Sequence, residues 1–442
     1  MTGLIKFGAI GWMMSCLAAG AAWGQDSNAE LKKQLLALAG QGESSGLTLS
    51  YAPAVPTVFA APVPEPTPEP MFDDSPTGTN VWLKTIKLSG FADVGYTKNF
   101  NDPRGNPGSL TNPDRMFDTT SNGFLLNMAE VMLEKVASSD SPAGIRLKLG
   151  MGKDAGVLAS TEGLGASPQF DIVEGYVEYL APIGSGLDFK VGKMATLAGY
   201  EVIESKDNWS YSRSLLFTWA IPLTHTGVRA TYTFMDQLNM TVGYVNGWNM
   251  INDNNNGKTF EGQLNANPWS WLNVIVNSYY GPELGTGLAN SSGAQRYVVD
   301  ACATVSYSTW KLGLNYDSGS DQELGPATAK DPRGSPDNWG GAAVYLKDQL
   351  TRWYAPSIRA EYFRDGTGGV TGFNVGNQPG KPVGKVHLWE VTFSNEFRIN
   401  DNLLFRAEYR HDRASKDMFE EGNDVQGRHG QDTIGLEAIF MF

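Results

Sequence analysis

Charged side chains recur at every second position along much of this chain. Arg146 and Lys148 alternate with Ile145, Leu147 and Leu149; Arg229 stands between Val228 and Ala230; Arg359 and Glu361 alternate with Ile358, Ala360 and Tyr362; Arg406, Glu408 and Arg410 alternate with Phe405, Ala407 and Tyr409. Successive side chains of a strand point to opposite faces, so each segment carries one ionic and one apolar row. Ions in a dry core are prohibitive unless paired, so the ionic rows must meet water. Fixed charges around enclosed water set up a field that selects solutes. The basic residues expected on that face are Arg146, Lys148, Lys190, Arg229, Arg359, Arg398, Arg406 and Arg410. The acidic ones are Glu130, Glu134, Glu178, Glu261, Asp300, Glu361, Glu396, Glu408 and Glu437. Mixed signs imply a transverse field rather than a single-sign filter. The competing use of the same rows is pairing across strands to solvate a wall.

Other chemistry is poorly represented. "NDNNNG", Asn252 to Gly257, superficially resembles a calcium loop, but Asn252 and Gln263 occupy the first and twelfth positions, where carboxylates are needed. Asn-Gly suits positive φ, so a turn is the expectation. His225, His387, His411 and His429 have no metal-ligand spacing. No nucleophile motif or phosphate loop stands out, so no metal, cofactor or enzymatic activity is expected.

The elements that hold the ionic rows can be read from the periodicity. From about residue 85 the period is two, in segments such as "FADVGYTKNF", "TGVRATYTF", "LNMTVGYVNGW", "YVVDACATVSY" and "NLLFRAEYRHDR". Roughly sixteen such segments follow, with a range of 14 to 18, separated by turn-rich stretches. Short connections at Ser141–Gly144, Met235–Gln237, Pro268–Ser270 and Ile399–Asn402 predict one rim. Long ones at Asn101–Ser121, Gly281–Gln295 and Asp365–Gly384 predict the other.

Alternation alone also fits a soluble sandwich, and the apolar row decides against it. Ala is frequent there and Tyr and Trp gather near strand ends, matching a lipid-facing surface with interfacial girdles. Every backbone group must pair in hydrocarbon, so the sheet must close. The fold class expected is an all-β transmembrane, closed antiparallel up-and-down barrel, whose last strand "DTIGLEAIFMF" pairs with the first near "KLSGFADVGY".

Composition agrees with that architecture. The 442 residues are 41% hydrophobic and include 51 Gly, 12 Trp and 17 Tyr, with a mean hydropathy of −0.27. After residue 24 no stretch approaches the roughly 18 apolar residues of a membrane helix. The formal charge of −13 argues against nucleic acid as a partner. Residues 1–24, with Lys6 before "FGAIGWMMSCLAAGAA" and a small-residue cut site, read as an export signal. "MMSC" lacks the residues that a lipoprotein processing site around Cys16 would need, and removal of the signal leaves Cys302 as a single thiol that cannot staple the fold. Residues 25–84 hold a short periplasmic helix with Leu31, Leu35 and Leu38 on one face and a Pro-rich linker. Residues 85–442 are the barrel expected.

"KLSGFADVGYTKNF", "NMAEVMLEK", "FKVGKMATLAGYEVIES", "NWSYSRSLLFTWAIPLTHTGVRATYTF" and "YVNGWNMINDNNNGKTFEGQL" together resemble the β-barrel porin family described as OmpL-like, through roughly residues 85 to 442. The resemblance implies a bacterial outer-membrane pore and supplies no catalytic residues. A terminal aromatic, Phe442, on an alternating last strand resembles the assembly signal of bacterial outer-membrane barrels. The function expected is passive diffusion of small hydrophilic solutes and ions through a water-filled channel, with outer-membrane lipid and sister copies, as a homotrimer, for partners. The rivals are a structural barrel anchoring the envelope and a barrel enzyme acting on lipid or envelope polymer. "YEVIESKDNWSYSRSLLFTWAIPLTHTG" is too long for a turn and too apolar for a free loop. It is expected either to fold inward as a constriction, with Arg213 and His225 near the opening, or to pack on the rim.

Overall fold

The computed structural model describes residues 85–442 apart from 104–111, 113, 163–168, 256, 284–293, 323–335, 375–381 and 423, and apart from the side chains of 424–426. The expected export signal, the helix through Leu31, Leu35 and Leu38, and the Pro-rich linker lie outside the described residues.

The period-two segments form strands β1 (Lys87–Asn99), β2 (Gly123–Lys135), β3 (Ala143–Met151), β4 (Phe170–Ala181), β5 (Leu187–Ala195), β6 (Thr224–Met235), β7 (Leu238–Val245) and β8 (Thr259–Trp269). They continue as β9 (Leu272–Pro282), β10 (Gln295–Tyr307), β11 (Trp310–Asp321), β12 (Asp337–Asp348), β13 (Tyr354–Asp365), β14 (Val386–Asn400), β15 (Leu403–Ala414) and β18 (Gly430–Met441). These sixteen close into one antiparallel barrel in which β18 lies between β15 and β1. The two short strands β16 (Phe419–Glu421) and β17 (Asp424–Arg428) pair separately in the connection before β18.

Closure is made by backbone pairing from Phe91 opposite Met441 to Asn99 opposite Thr433. Gly90 and Phe442 exchange both backbone bonds, at 3.0 Å each. No strand edge is left to hydrocarbon, which is the condition for a spanning sheet.

The alternation predicted from sequence sets the faces. Val177, Val191, Val242, Val344, Phe393 and Leu436, on strands all around the barrel, are 46–57% exposed. An apolar belt on every side far exceeds the patches of a few hundred Å² that monomers leave in water. Acyl chains are its natural solvent. Aromatic rings flank the belt, with Tyr244, Phe260, Tyr280, Tyr297 and Trp389 toward one rim and Trp269, Trp271, Tyr307, Trp310 and Trp353 toward the other. The short connections expected from sequence all fall on the second rim, with the start of β1 and the end of β18. Short turns face the periplasm in this class of barrel and long loops the exterior.

The interior departs from a uniformly ionic, watery lumen. A helix, α1 (Lys153–Thr161), follows β3 and packs against β2, β3 and β4 with Ala155, Leu158 and Ala159 buried. Residues 196–223, between β5 and β6, also turn inward. Leu215, Leu216, Phe217, Ile221 and Leu223 from this segment join Leu158, Phe91, Met128, Val298 and Tyr345 in a buried apolar cluster inside the barrel. Nine residues of α1 are too few for a stable isolated helix, so its order comes from this packing.

Candidate functional site

The segment 196–223 begins and ends at one point, since the Thr196 N–H donates to the Leu223 carbonyl at 2.9 Å. Between these residues the chain crosses the barrel and returns. Near its start the Tyr279 hydroxyl on β9 meets Thr196 Oγ1 and accepts from the Leu197 N–H, both at 3.0 Å. Tyr200 then stacks on Tyr345 of β12 with ring centroids 4.5 Å apart. Glu201 meets Arg359 of β13 at 2.6 Å, and Glu204 meets Lys148 of β3. Ser205 donates to Glu437 of β18, while Arg406 of β15 donates to the carbonyls of Ser205 (2.9 Å) and Asn208 (2.6 Å).

The apex of the crossing is Tyr211. Its ring occupies a slot between β1 and β18 that exists because Gly95 and Gly435 lack side chains; a Cβ on Gly435 would lie 2.6 Å from Tyr211 Cδ1, and one on Gly95 2.4 Å from its hydroxyl. Glu408 of β15 accepts from the N–H groups of Tyr211 (2.8 Å) and Ser212 (3.2 Å). On the return, Glu361 accepts from the N–H groups of Leu215 (2.6 Å) and Leu216 (3.2 Å), and Trp339 Nε1 donates to the Ala220 carbonyl at 3.0 Å. The ionic wall thus supplies the hydrogen bonds that an irregular buried backbone needs. This settles the path of the segment. It folds inward rather than packing on the rim.

The expected ionic residues divide by what covers them. Arg359 lies among Glu201, Glu390 (2.8 Å) and the Ser212 carbonyl (2.7 Å); Arg406 pairs with Glu437 (2.8 Å); Arg410 pairs with Asp412 (2.8 Å) and donates to the Arg213 carbonyl (2.6 Å). Glu361, Glu408 and Glu437 are buried with them, as is Glu396 between Lys347 (2.9 Å) and Arg406 (3.6 Å). Arg229 and Glu261 form a buried pair, at 2.5 Å. Asp300 is buried opposite Asp317 and accepts from Asn277 (2.5 Å) and Asn315 (2.8 Å), and Cys302 lies beside it, buried. Glu130 and Glu134 are likewise buried. All face inward, as expected, but the crossing segment and neighbouring side chains cover them. For these residues the lining of open water is corrected to structural pairing.

A second group keeps contact with water. Arg146 and Lys190 are each 27% exposed and Arg398 40%. Arg146 pairs with Glu134 and with Glu174 at 3.3 Å; Lys148 meets Glu174 at 3.0 Å; Lys190 meets Glu178 at 3.4 Å and Asp188 at 3.5 Å. Arg146 and Lys190 lie over the ring of Tyr176 at 5.6 and 5.5 Å. Apart from Arg398 on β14, these groups sit on β2–β5, in the half nearer the short turns.

Arg213 and His225 do not stand at an opening. Arg213 is buried, donates to the Tyr211 carbonyl at 3.0 Å, lies 3.6 Å from Asp154 of α1 and covers the Phe117 ring at 5.0 Å. His225 is buried at the start of β6, with Nδ1 2.9 Å from the Gly247 carbonyl and its ring stacked on Tyr279. His225 is held beside the neck of the segment and Arg213 just past its apex, placements that sequence spacing does not reveal. Arg213 ties the segment to α1. Burial pushes the Asp154 carboxyl up to about 6, against the pull of Arg213.

Sequence reasoning also missed Glu174, Glu201, Glu204, Glu390 and Asp412, the partners of the expected cations. Alternation signals Glu174, Glu390 and Asp412; nothing local signals Glu201 and Glu204. In the Asn-rich stretch, Asp253 Oδ1 accepts from the Asn255 N–H and Asn255 Oδ1 from the Gly257 N–H, both at 2.8 Å, a turn within the 246–258 connection. Among the described residues no cluster of three or more His, Cys, Asp or Glu could hold a metal. On the long-loop side, a cavity of about 170 Å³ is lined by Trp219, Trp248, Trp339, Arg296 and Asn249, among others.

A family model described as "Putative beta-barrel porin-2, OmpL-like" matches residues 85–442. No curated protein matches the chain. Among solved structures, an anion-selective porin from Comamonas acidovorans aligns with a TM-score of 0.56 at 9% identity, covering 81% of this chain and 99% of that one. The outer membrane channel DcaP of Acinetobacter baumannii aligns at 0.52 and 11% identity, covering 81% and 97%. OmpT of Vibrio cholerae, in its trimer form, aligns at 0.51 and 11%, covering 81% and 99%. At such identities the likeness establishes the fold.

Proposed function

We propose, from the premise that this chain belongs to the OmpL-like β-barrel porin family, that it is a non-enzymatic outer-membrane channel through which small hydrophilic solutes and ions diffuse down their gradients. The observation that carries the reading is the fate of the charges. Where the crossing segment lies against β13 and β15, charges pair and are buried; near the short turns of β3 and β5, Arg146 and Lys190 remain partly exposed. A strapped segment beside a wet ionic row is a constriction with a transverse field. The filled middle of the barrel favours a narrow passage over a wide one. Three copies side by side, their apolar belts in contact, are the assembly proposed.

Purified protein in planar bilayers is expected to give stepwise, ohmic conductance. Folded barrels that leave the membrane silent would overturn the channel. The double charge reversal Arg146→Glu with Lys190→Glu is expected to shift the reversal potential in a salt gradient toward cation preference, and an unchanged potential would remove this row from the passage.

A further inference from the structure

On β13, β14 and β15 the outward rows end, at the long-loop rim, in cations. Arg364 on β13 and Arg413 on β15 are exposed, and exposed Lys385 immediately precedes β14. Register places Arg364 opposite His387 and Arg413 opposite Trp389, so the two residues flank β14 with a two-residue offset along it, their backbones about 10 Å apart across the sheet by the spacing of strands. Beside them Tyr362 and Trp389 lie with centroids 5.7 Å apart, and His387 stacks on Trp389 at 6.4 Å. Such rings sit at headgroup depth, so cations beyond them stand among the polar groups of the outer leaflet.

Two observations single out this face. First, among the described residues the side chains of Arg364, Lys385 and Arg413 have no ion pair or hydrogen bond. Toward that rim Lys98 is engaged with Asp102, Arg428 with Glu421 and His411 with Asp432, while exposed Lys416, in the connection after β15, is free like the three on this face. Second, the outward rows of β7 to β10 end at the same rim in Tyr244, Phe260, Tyr280 and Tyr297, and Lys258, which immediately precedes β8, is paired with Asp253. In a chain of formal charge −13, three unpaired cations on adjacent strands are a local feature.

We propose that this face binds the phosphate-bearing headgroup of an outer-leaflet lipid. The guanidiniums offer planar, bidentate donors to phosphate oxygens, Lys385 adds a point charge, and the aromatic group below receives the first part of the acyl region. Conduction plays no part in this binding, so a silent barrel that still holds the lipid would leave the proposal standing.

The test uses the full chain folded in neutral detergent, titrated with diphosphoryl lipid A, with its dephosphorylated form and with inorganic phosphate, and read by tryptophan fluorescence and native mass spectrometry. Saturable binding of the diphosphoryl lipid is expected, about tenfold or more tighter than of the dephosphorylated one. Arg364→Gln with Arg413→Gln is expected to weaken it at least about tenfold, and Lys385→Gln by less, because phosphate recognition is mainly bidentate here. Lys98→Gln is expected to change nothing. Equal binding of the two lipids, or wild-type affinity in the double variant, would overturn the proposal. Displacement of the lipid by millimolar inorganic phosphate would replace a lipid site by a free-anion site and overturn it likewise. All four substitutions are on exposed or half-exposed side chains, and heat-dependent gel mobility verifies that each barrel is folded.

Discussion

Arg359 shows how a charge that alternation places correctly can still serve a different purpose. Its guanidinium touches Glu201, Glu390 and the Ser212 carbonyl and is fully buried. Removing one partner of a buried ionic group leaves the others uncompensated, which costs about 3–5 kcal/mol. Arg359→Gln is therefore expected to lower the unfolding midpoint in detergent strongly, and Arg359→Lys to restore little of it, because an ammonium cannot bridge three acceptors in a planar fork. A midpoint within error of wild type for Arg359→Gln would place the residue in open water after all. Asp154 gives a prediction in pH. Its carboxyl titrates near 6 in the fold and about 4 in an unfolded chain. The folded state thus holds its proton longer, and stability falls as pH rises through that window, then levels off above it. Asp154→Asn is expected to flatten the slope between those limits, as followed by thermal unfolding. The direction of each of these side chains was legible, since period two is a local property; their burial was not, since Glu201 lies 158 residues from Arg359.

The crossing segment is the element whose existence could be inferred and whose route could not. Its length and apolar content excluded a turn, but its anchors are scattered over β1, β3, β9, β12, β13, β15 and β18, and no single stretch of sequence encodes them together. Gly95 and Gly435 illustrate the point: each reads as an ordinary interruption of a strand, and only their diagonal placement across β1 and β18, Gly95 opposite Glu437 and Gly435 opposite Thr97, makes the slot for Tyr211. Because Thr196 and Leu223 are already joined by a backbone bond, replacing residues 199–220 by a short glycine link leaves both strand ends in place. The variant is expected to fold, since barrel closure does not depend on the segment, and to conduct several-fold more per channel, as the pore widens toward the lumen that sixteen strands enclose. Unchanged single-channel conductance would show that the segment is not what limits flow.

For the whole molecule, the strand number, closure and the division into two rims were readable because lipid imposes them everywhere at once: each strand repeats the same partition, and each backbone group must find a partner. Interior packing carries no such repeated constraint, and there the reading failed. The same contrast bears on Phe442, whose backbone completes closure against Gly90 while its ring is exposed. Phe442→Ala keeps the backbone bonds and removes only the ring. If the ring acts as a signal to the assembly machinery, the variant is expected to refold from urea into detergent with wild-type yield and stability, yet to accumulate poorly as folded, heat-modifiable protein in the outer membrane of cells. If instead the ring stabilises the seam between β1 and β18, both yields drop together, in proportion to a lower unfolding midpoint. The two readings separate because refolding in detergent involves no machinery, so loss confined to cells isolates recognition from stability.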